Sequence, residues 1–180
     1  MRDDVETILF HEQTIFSRLD DLAAEITEDY RGKELTVVAV LNGSLMFMAD
    51  LLRRIPLPLK LDCVRVASYH GGTESRGTVT FHQLAMPEIN GRHVLILDDI
   101  LDSGRTLHAI RARLCAECKP LSLRICVLLQ KRAAQLAAVP ADYVGFQIGD
   151  EFVVGYGLDY AEHYRNLPFI GVLRSAIVGR

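Results

Sequence analysis

The sequence carries little net charge and no strongly basic segment. Lysine and arginine together number 20 against 23 aspartates and glutamates, so the formal net charge is −3. Proteins that bind nucleic acid without sequence preference depend on a large basic surface. The charge balance therefore argues against a general nucleic-acid-binding protein, and it is compatible with a local basic site for a small phosphorylated ligand.

Signals for other locations and for transition metals are also missing. No apolar run approaches the length of a membrane span, and the acidic start, with Asp3 and Asp4, lacks a signal-peptide profile. We therefore expect a cytoplasmic protein with no membrane partner. Cys115 and Cys118 form a C-x-x-C, but no second pair and no histidine pair completes a zinc site. With no H-E-x-x-H either, we expect free thiols in a reducing compartment and no transition metal.

Apolar and amphipathic stretches alternate along the chain, which has 180 residues and is 49% hydrophobic. Strands are predicted at residues 36–41, 59–68, 94–97, 121–129 and 142–147, with an edge strand at 7–10 and a return strand at 78–84. Helical patterns cover residues 15–26, 45–54 and the stretch from Leu107 onward. This alternation favours an α/β fold, with a mainly parallel twisted sheet flanked by helices.

Polar turns follow three of the predicted strands, at Asn42-Gly43-Ser44, at residues 98–106 and at Lys131. In open parallel sheets, ligands bind beyond the carboxyl ends of the strands. We therefore expect these three turns to lie near one another and to form a ligand site.

The turn Ser103-Gly104-Arg105-Thr106 leads into a predicted helix. Its backbone N–H groups, its two hydroxyls and the helix N-terminus suit a phosphate monoester, and Gly104 permits a positive φ or a close backbone approach. A plain helix cap by Ser103 or Thr106 is the alternative. The sequence contains neither G-x-x-x-x-G-K-[ST] nor G-x-G-x-x-G, so this is not a known nucleotide loop of those types.

Acidic residues stand directly before that turn. Asp98 and Asp99 follow a very apolar strand, where they could bind sugar hydroxyls or a hydrated Mg²⁺. Asp102 is placed to act as a general base. The alternative is that these carboxylates only cap or support the turn. Phe152 on sequence alone is more typical of a core residue, and Lys131 of a surface lysine.

These segments together resemble a known family. VLILDDILDSGRT resembles the phosphoribosyl pyrophosphate (PRPP) signature of type I phosphoribosyltransferases, an apolar strand and two acids followed by D-[ST]-G-x-T. LLQKR and DYVGFQIGDEFVVGYGLDYAEHYRNL resemble the purine-binding region of hypoxanthine-guanine phosphoribosyltransferases, and VLNGSLMFMADL and SYHGGTESRGTV match further landmarks. The resemblance implies the type I phosphoribosyltransferase fold in a single domain over residues 1–180. Its core would span about 12–140, and a small hood would comprise about 1–11 and 141–180.

The resemblance also implies roles at the matched positions. Ribose and 5′-phosphate would be held by Asp98, Asp99, Asp102, Ser103, Gly104, Arg105 and Thr106. Asp102 would assist proton transfer at a purine nitrogen. The purine base would be contacted by Lys131, Phe152, Val153 and Asp159. Pyrophosphate would be bound by Asn42, Gly43 and Arg165. Mg²⁺ would be bound by Asp98, Asp99 and Asp159. Ser68 and Tyr69 would belong to a loop that closes over the site.

The implied activity is transfer of 5-phosphoribosyl from PRPP to a 6-oxopurine, hypoxanthine or guanine, which yields IMP or GMP and pyrophosphate in purine salvage. A homodimer or homotetramer is implied as well. Two alternatives stay open: a phosphoribosyltransferase for xanthine or a pyrimidine, and a PRPP-fold regulator that senses nucleotides and binds RNA, as pyrimidine-operon attenuators do. The chain departs from many family members at Asn42, where they carry lysine. A backbone role survives this change, but the charge of the lysine is lost.

Overall fold

Strands and helices alternate along the chain in the part that the structure, a computed structural model, describes: residues 1–68, 79–81, 86–132 and 139–178. A 3₁₀ turn at Arg2–Asp4 precedes the first strand. The strands are β1 (Val5–Phe10), β2 (Leu35–Leu41), β3 (Leu59–Ser68), β4 (Val79–Phe81), β5 (His93–Leu101), β6 (Ser122–Lys131), β7 (Tyr143–Ile148), β8 (Val153–Val154) and β9 (Ile170–Leu173). The helices are α1 (Glu12–Asp29), α2 (Leu45–Leu52) and α3 (Arg105–Glu117).

The large sheet has six strands in the order β4-β3-β2-β5-β6-β7. Strands β3, β2, β5, β6 and β7 are parallel, and β4 pairs antiparallel with β3 at one edge. The predicted α/β fold, with a mainly parallel sheet flanked by helices, is confirmed. Of the predicted return strand over 78–84, residues 79–81 form β4, and the others lie outside the described residues.

Both faces of the large sheet are covered. Alternate residues of β2 belong to different hydrophobic clusters, Val37 and Ala39 to one and Val38 and Val40 to the other. The first cluster includes the buried faces of α1 and α2, and the second includes that of α3. A strand covered on both sides needs a continuous apolar run, which explains the run over 36–41. None of the helices described is long and apolar enough to cross a bilayer.

A second, smaller sheet joins the two ends of the chain. Its order is β1-β9-β8, and both pairings are antiparallel. Val5, Val154 and Phe169 belong to its own hydrophobic cluster. Residues 152–159, hereafter the tail, include β8 and are thereby placed near the carboxyl ends of β5 and β6.

Candidate active site

The carboxyl ends of β2, β5 and β6 meet at one edge of the large sheet, because the three strands are adjacent and parallel. A cavity of about 390 Å³ opens there. The following residues line it: Val40, Leu41, Gly43, Val66, Asp98, Asp99, Ile100, Leu101, Asp102, Ser103, Gly104, Thr106, Leu107, Asp159 and Arg165. Lys131 lies beside it, with Nζ 3.2 Å from Asp102 Oδ2. The prediction that the three polar turns lie close together is confirmed.

Two adjacent carboxylates form the wall of this cavity. Asp98 is 6% exposed and Asp99 is half-buried. The backbone N–H of Asp99 donates to Asp98 Oδ1 (3.0 Å), and that of Ile100 donates to Asp99 Oδ1 (2.8 Å). Burial raises the pKa of Asp98 well above its ordinary value, and the charge of Asp99 raises it further. Burial also raises the pKa of Asp99, against the opposing effects of its hydrogen bonds and of Arg165. Bringing a cation to this pair would favour its ionised form.

Asp98→Asn is expected to stabilise the metal-free protein at neutral pH. The folded state holds the Asp98 proton more tightly than the unfolded state, where the carboxyl titrates near pH ~3.9. The stability that this group contributes is therefore present below that pH and is lost as pH rises through the raised pKa. Asparagine cannot ionise, so the gain in Tm should grow with pH, to roughly 2–6 °C at about pH 8. Thermal unfolding in a metal chelator at several pH values measures it. Asp150→Asn, at an exposed carboxylate, is the control, and a lower Tm for Asp98→Asn at about pH 8 would contradict the argument.

The turn after β2 approaches these acids closely. A Cβ built on Gly43 would overlap the carboxylate of Asp99, so only glycine fits there without displacing that side chain. The Leu41–Asn42 peptide bond is cis. The Asn42 side chain is exposed and does not line the cavity, whereas Leu41 and Gly43 do. Asn42 and Gly43 were predicted to bind pyrophosphate, and the structure places Gly43, but not the Asn42 side chain, at the cavity.

The turn after β5 has the features of an anion site. Gly104 is the N-cap of α3 and has a φ of +76°, which is one of the two possibilities that the sequence offered for this glycine. Neither Ser103 nor Thr106 caps the helix, so the plain capping interpretation is wrong. The first turn of α3 carries no acidic residue. The free backbone N–H groups at this N-terminal end of the helix, together with the helix dipole, favour the binding of an anion. Ser103, Gly104 and Thr106 line the cavity, but Arg105 is exposed and does not.

A second cavity of about 180 Å³ adjoins the first. The two share Asp99, Ile100, Asp102 and Asp159, and the second is completed by Lys131, Glu151, Phe152, Val153 and Leu158. Its lining thus combines aromatic and apolar groups with a few charged ones, as small-molecule sites do.

Two residues of this second cavity differ from what their sequence context alone suggests. Phe152 is 41% exposed and meets Tyr160 edge-on, with ring centroids 5.4 Å apart, so its interpretation as a core residue is wrong. The Lys131 side chain is only 16% exposed, so its interpretation as a surface lysine is wrong as well.

Arg165 connects the tail to the first cavity. Its Nη1 donates to the carbonyl of Gly157 (2.8 Å), and its Nη2 lies 2.8 Å from Asp159 Oδ1. The other oxygen of Asp159 accepts the N–H of Glu162 (2.9 Å). Both oxygens of Asp159 therefore have a protein partner, and each keeps a free lone pair with which it could bind a metal ion.

The closing loop predicted from the sequence is only partly described. Ser68 ends β3 opposite Val79, whereas Tyr69 and the rest of that loop lie outside the described residues. Sequence reasoning also missed residues of the site. Glu151 lines the second cavity, and its position directly before Phe152 was the available signal. The apolar lining residues Val66 and Leu158 carry no signal that separates them from core residues.

Comparisons with known proteins extend over nearly the whole chain. A family model described as a phosphoribosyl transferase domain matches residues 6–161. The chain is 46% identical over 177 residues to a hypoxanthine-guanine phosphoribosyltransferase of Staphylococcus aureus and 42% identical over 177 residues to one of Streptococcus pneumoniae, and each match covers 98% of both chains. A solved hypoxanthine phosphoribosyltransferase from S. aureus superposes with a TM-score of 0.92 at 46% identity, covering 100% of this chain and 97% of the other. A ternary substrates complex of a Trypanosoma cruzi hypoxanthine phosphoribosyltransferase gives 0.89 at 38% identity, covering 98% and 99%.

Proposed function

The chain belongs to the phosphoribosyl transferase family, and on that premise we propose that it transfers 5-phosphoribosyl from PRPP to a 6-oxopurine. The products would be IMP or GMP and pyrophosphate, in purine salvage. One observation carries the proposal: two cavities of different chemistry meet at Asp102. The larger has an anion-binding turn and paired acids, and the smaller has an aromatic ring and a lysine. A sugar phosphate and a planar base are the partners that such a pair of cavities suits.

The larger cavity would hold the phosphoribosyl group. Backbone N–H groups and hydroxyls of residues 103–106 would bind the 5′-phosphate at the start of α3. Asp98 and Asp99 would contact the ribose hydroxyls. Pyrophosphate would lie between the backbone of the 42–44 turn and the guanidinium of Arg165. A guanidinium is planar and can donate two parallel hydrogen bonds to phosphate oxygens.

The acid pair fits a divalent cation. Mg²⁺ takes oxygen ligands, commonly one or two carboxylates together with substrate phosphates and water. Asp98 and Asp99 offer such carboxylates, and Asp159 lines both cavities. Among the residues described, no group of three or more acidic, histidine or cysteine side chains could hold a metal. The remaining ligands would come from PRPP and water. When bound, Mg²⁺ would help to neutralise the charge of the departing pyrophosphate.

The smaller cavity would hold and activate the base. Phe152 would stack on the purine, and Val153 would meet its edge through backbone groups. Asp102 stands on the wall that the cavities share, where it would take a proton from the purine imidazole and so make the attacking nitrogen more nucleophilic. Arg165 would stabilise the leaving group as its bond to the anomeric carbon breaks.

Lys131 should select a 6-oxo base over a 6-amino base. Its ammonium would donate to the 6-oxo group, whereas the amino group of adenine would leave two donors facing each other, at a cost of roughly 1–3 kcal/mol. We expect PRPP and Mg²⁺ to support pyrophosphate release with hypoxanthine and guanine, and kcat/KM for adenine to be lower by about 10- to 100-fold.

A panel of hypoxanthine, guanine, xanthine, adenine, uracil and orotate tests both statements. Comparable use of adenine would refute the role of Lys131. If no base supports pyrophosphate release, the enzymatic function is refuted. Salt-sensitive RNA binding by such an inactive protein would favour the regulator instead. Turnover of only xanthine or a pyrimidine would keep the family and change the base.

The remaining proposals concern the setting of the protein. We propose a homodimer or homotetramer in the cytoplasm, with PRPP and a purine base as partners and no nucleic acid or membrane. All four cysteines are free thiols, which suits a reducing compartment. Light scattering after size-exclusion chromatography measures the mass of the assembly.

A further inference from the structure

A buried tyrosine links the tail to helix α2. Tyr156 is 4% exposed, and its hydroxyl donates to Asp50 Oδ2 at 2.6 Å. Its backbone has a φ of +51°, a conformation that non-glycine residues adopt rarely. The neighbouring backbone hydrogen bonds, from Tyr156 N–H to Leu167 and from Gly157 N–H to Arg165, stay within the C-terminal segment. The hydroxyl of Tyr156 instead reaches a different element.

Helix α2 is the continuation of the turn proposed to bind pyrophosphate. Ser44, the last residue of that turn, is fully buried, and its hydroxyl donates to the Val40 carbonyl. Leu45 begins the helix, and Asp50 follows within the second helical turn, about 9 Å along the axis from Ser44. Asp50 Oδ1 is also paired with Arg53. The tyrosine hydroxyl is therefore bound by a helix that directly continues the turn.

The tail and the turn also touch directly. A Cβ built on Gly157 would overlap the carbonyl oxygen of Gly43, so the two backbones are packed together. Gly43 in turn lies against the carboxylate of Asp99. Gly157 is the residue after Tyr156, so the contact with the turn and the hydrogen bond to Asp50 are made by consecutive residues of the tail.

Resting on the function proposed above, we propose that Tyr156 and Asp50 are positioning residues, whose hydrogen bond fixes the distance between the base cavity and the pyrophosphate turn. Neither residue lines either cavity. In the proposed function, the tail contacts the base and the turn at residues 42–44 contacts the leaving group. In-line attack at the anomeric carbon needs both at a defined separation, and displacements of an ångström can be costly to such a geometry.

Tyr156→Phe should impair the use of both substrates. We expect KM for hypoxanthine and KM for PRPP to rise together, by roughly 5- to 20-fold, because a hydrogen bond to a charged acceptor is lost. Asp50→Ala should give the same effect. Asp50→Asn keeps an acceptor oxygen and should leave both KM values within about twofold. In Tyr156→Phe/Asp50→Ala, the effect should not exceed that of either single change, because both remove the same bond.

Tyr143→Phe is the matched control. Tyr143 is 5% exposed and its hydroxyl donates to Asp29 at 2.5 Å, but it lines neither cavity. It should lower Tm to a similar extent as Tyr156→Phe and leave KM unchanged. If Tyr156→Phe also changes only Tm, or if the two single effects multiply in the double variant, the inference is wrong.

Titration calorimetry with PRPP and Mg²⁺ separates this inference from the proposed function. The measurement needs no base, so it can be made even if the wild type shows no turnover with any base. Weaker PRPP binding by Tyr156→Phe than by Tyr143→Phe would support the positioning role. Equal binding by the two variants and the wild type would overturn it.

Discussion

Asp102→Ala is expected to lower turnover by roughly two to four orders of magnitude. The carboxylate stands where the two cavities meet, so its removal takes away the proton acceptor for the incoming base. Phosphate binding by the turn depends on backbone N–H groups and hydroxyls, which the change leaves in place. KM for PRPP should therefore stay within a few-fold of wild type. Steady-state kinetics with saturating hypoxanthine measures both quantities.

Two further variants sharpen this experiment. Alanine also leaves Lys131 without its ion-pair partner at 3.2 Å, which alone could disturb the base cavity. Asp102→Asn keeps the shape and an oxygen for Lys131 but cannot act as a base at neutral pH, so it should be nearly as slow. Asp150→Ala, at an exposed carboxylate near the tail, should be as active as wild type. Near wild-type turnover in either Asp102 variant would remove this residue from the mechanism.

Gly157→Ala should damage both stability and activity. Gly157 has a φ of +102°, and an added Cβ would overlap the Gly43 carbonyl, which is backbone and cannot swing aside. Holding a non-glycine residue in such a sparsely populated conformation alone costs about 1–3 kcal/mol. Because the clash pushes the tail away from the turn, kcat/KM for PRPP should fall by roughly 100-fold.

Gly91→Ala separates strain from clash. Gly91 also has a positive φ, of +68°, but nothing lies within 4 Å of where its Cβ would be. This variant should lose stability in thermal unfolding and keep wild-type kinetics. If both alanine variants show the same kinetics, the contact between Gly157 and Gly43 does not position the substrates.

The large sheet could be predicted because its signal is local. Apart from Thr36, residues 36–41 are all apolar, and β2 is observed at Leu35–Leu41. The site at the sheet edge followed from the same logic, since parallel strands bring their polar ends together. Helix α2 was predicted to reach residue 54, but it ends at Leu52, ahead of Pro56, because a proline cannot continue the hydrogen-bonded ladder.

The pairing of distant residues could not be predicted in the same way. Tyr156 and Asp50 are 106 positions apart, and nothing near either residue in the sequence indicates the other. The pair between Lys131 and Asp102 was foreseen only as a general proximity of strand ends. Asn42 shows a different limit, because its turn lines the cavity through its neighbours while its own side chain faces away. Residue type alone does not tell whether backbone or side chain reaches a ligand.

The small sheet has a consequence for how the protein is made. Strand β1 leaves the ribosome before any strand of the large sheet, and its partner β9 leaves after all of them. Ribosomes extend a chain at about 5–20 residues per second. The apolar side of β1 must therefore wait roughly 10–30 seconds for its partner, while the turns proposed to bind PRPP can already take shape. Both cavities would therefore be completed late, because residues 152–159 and Arg165 are among the last to leave the ribosome.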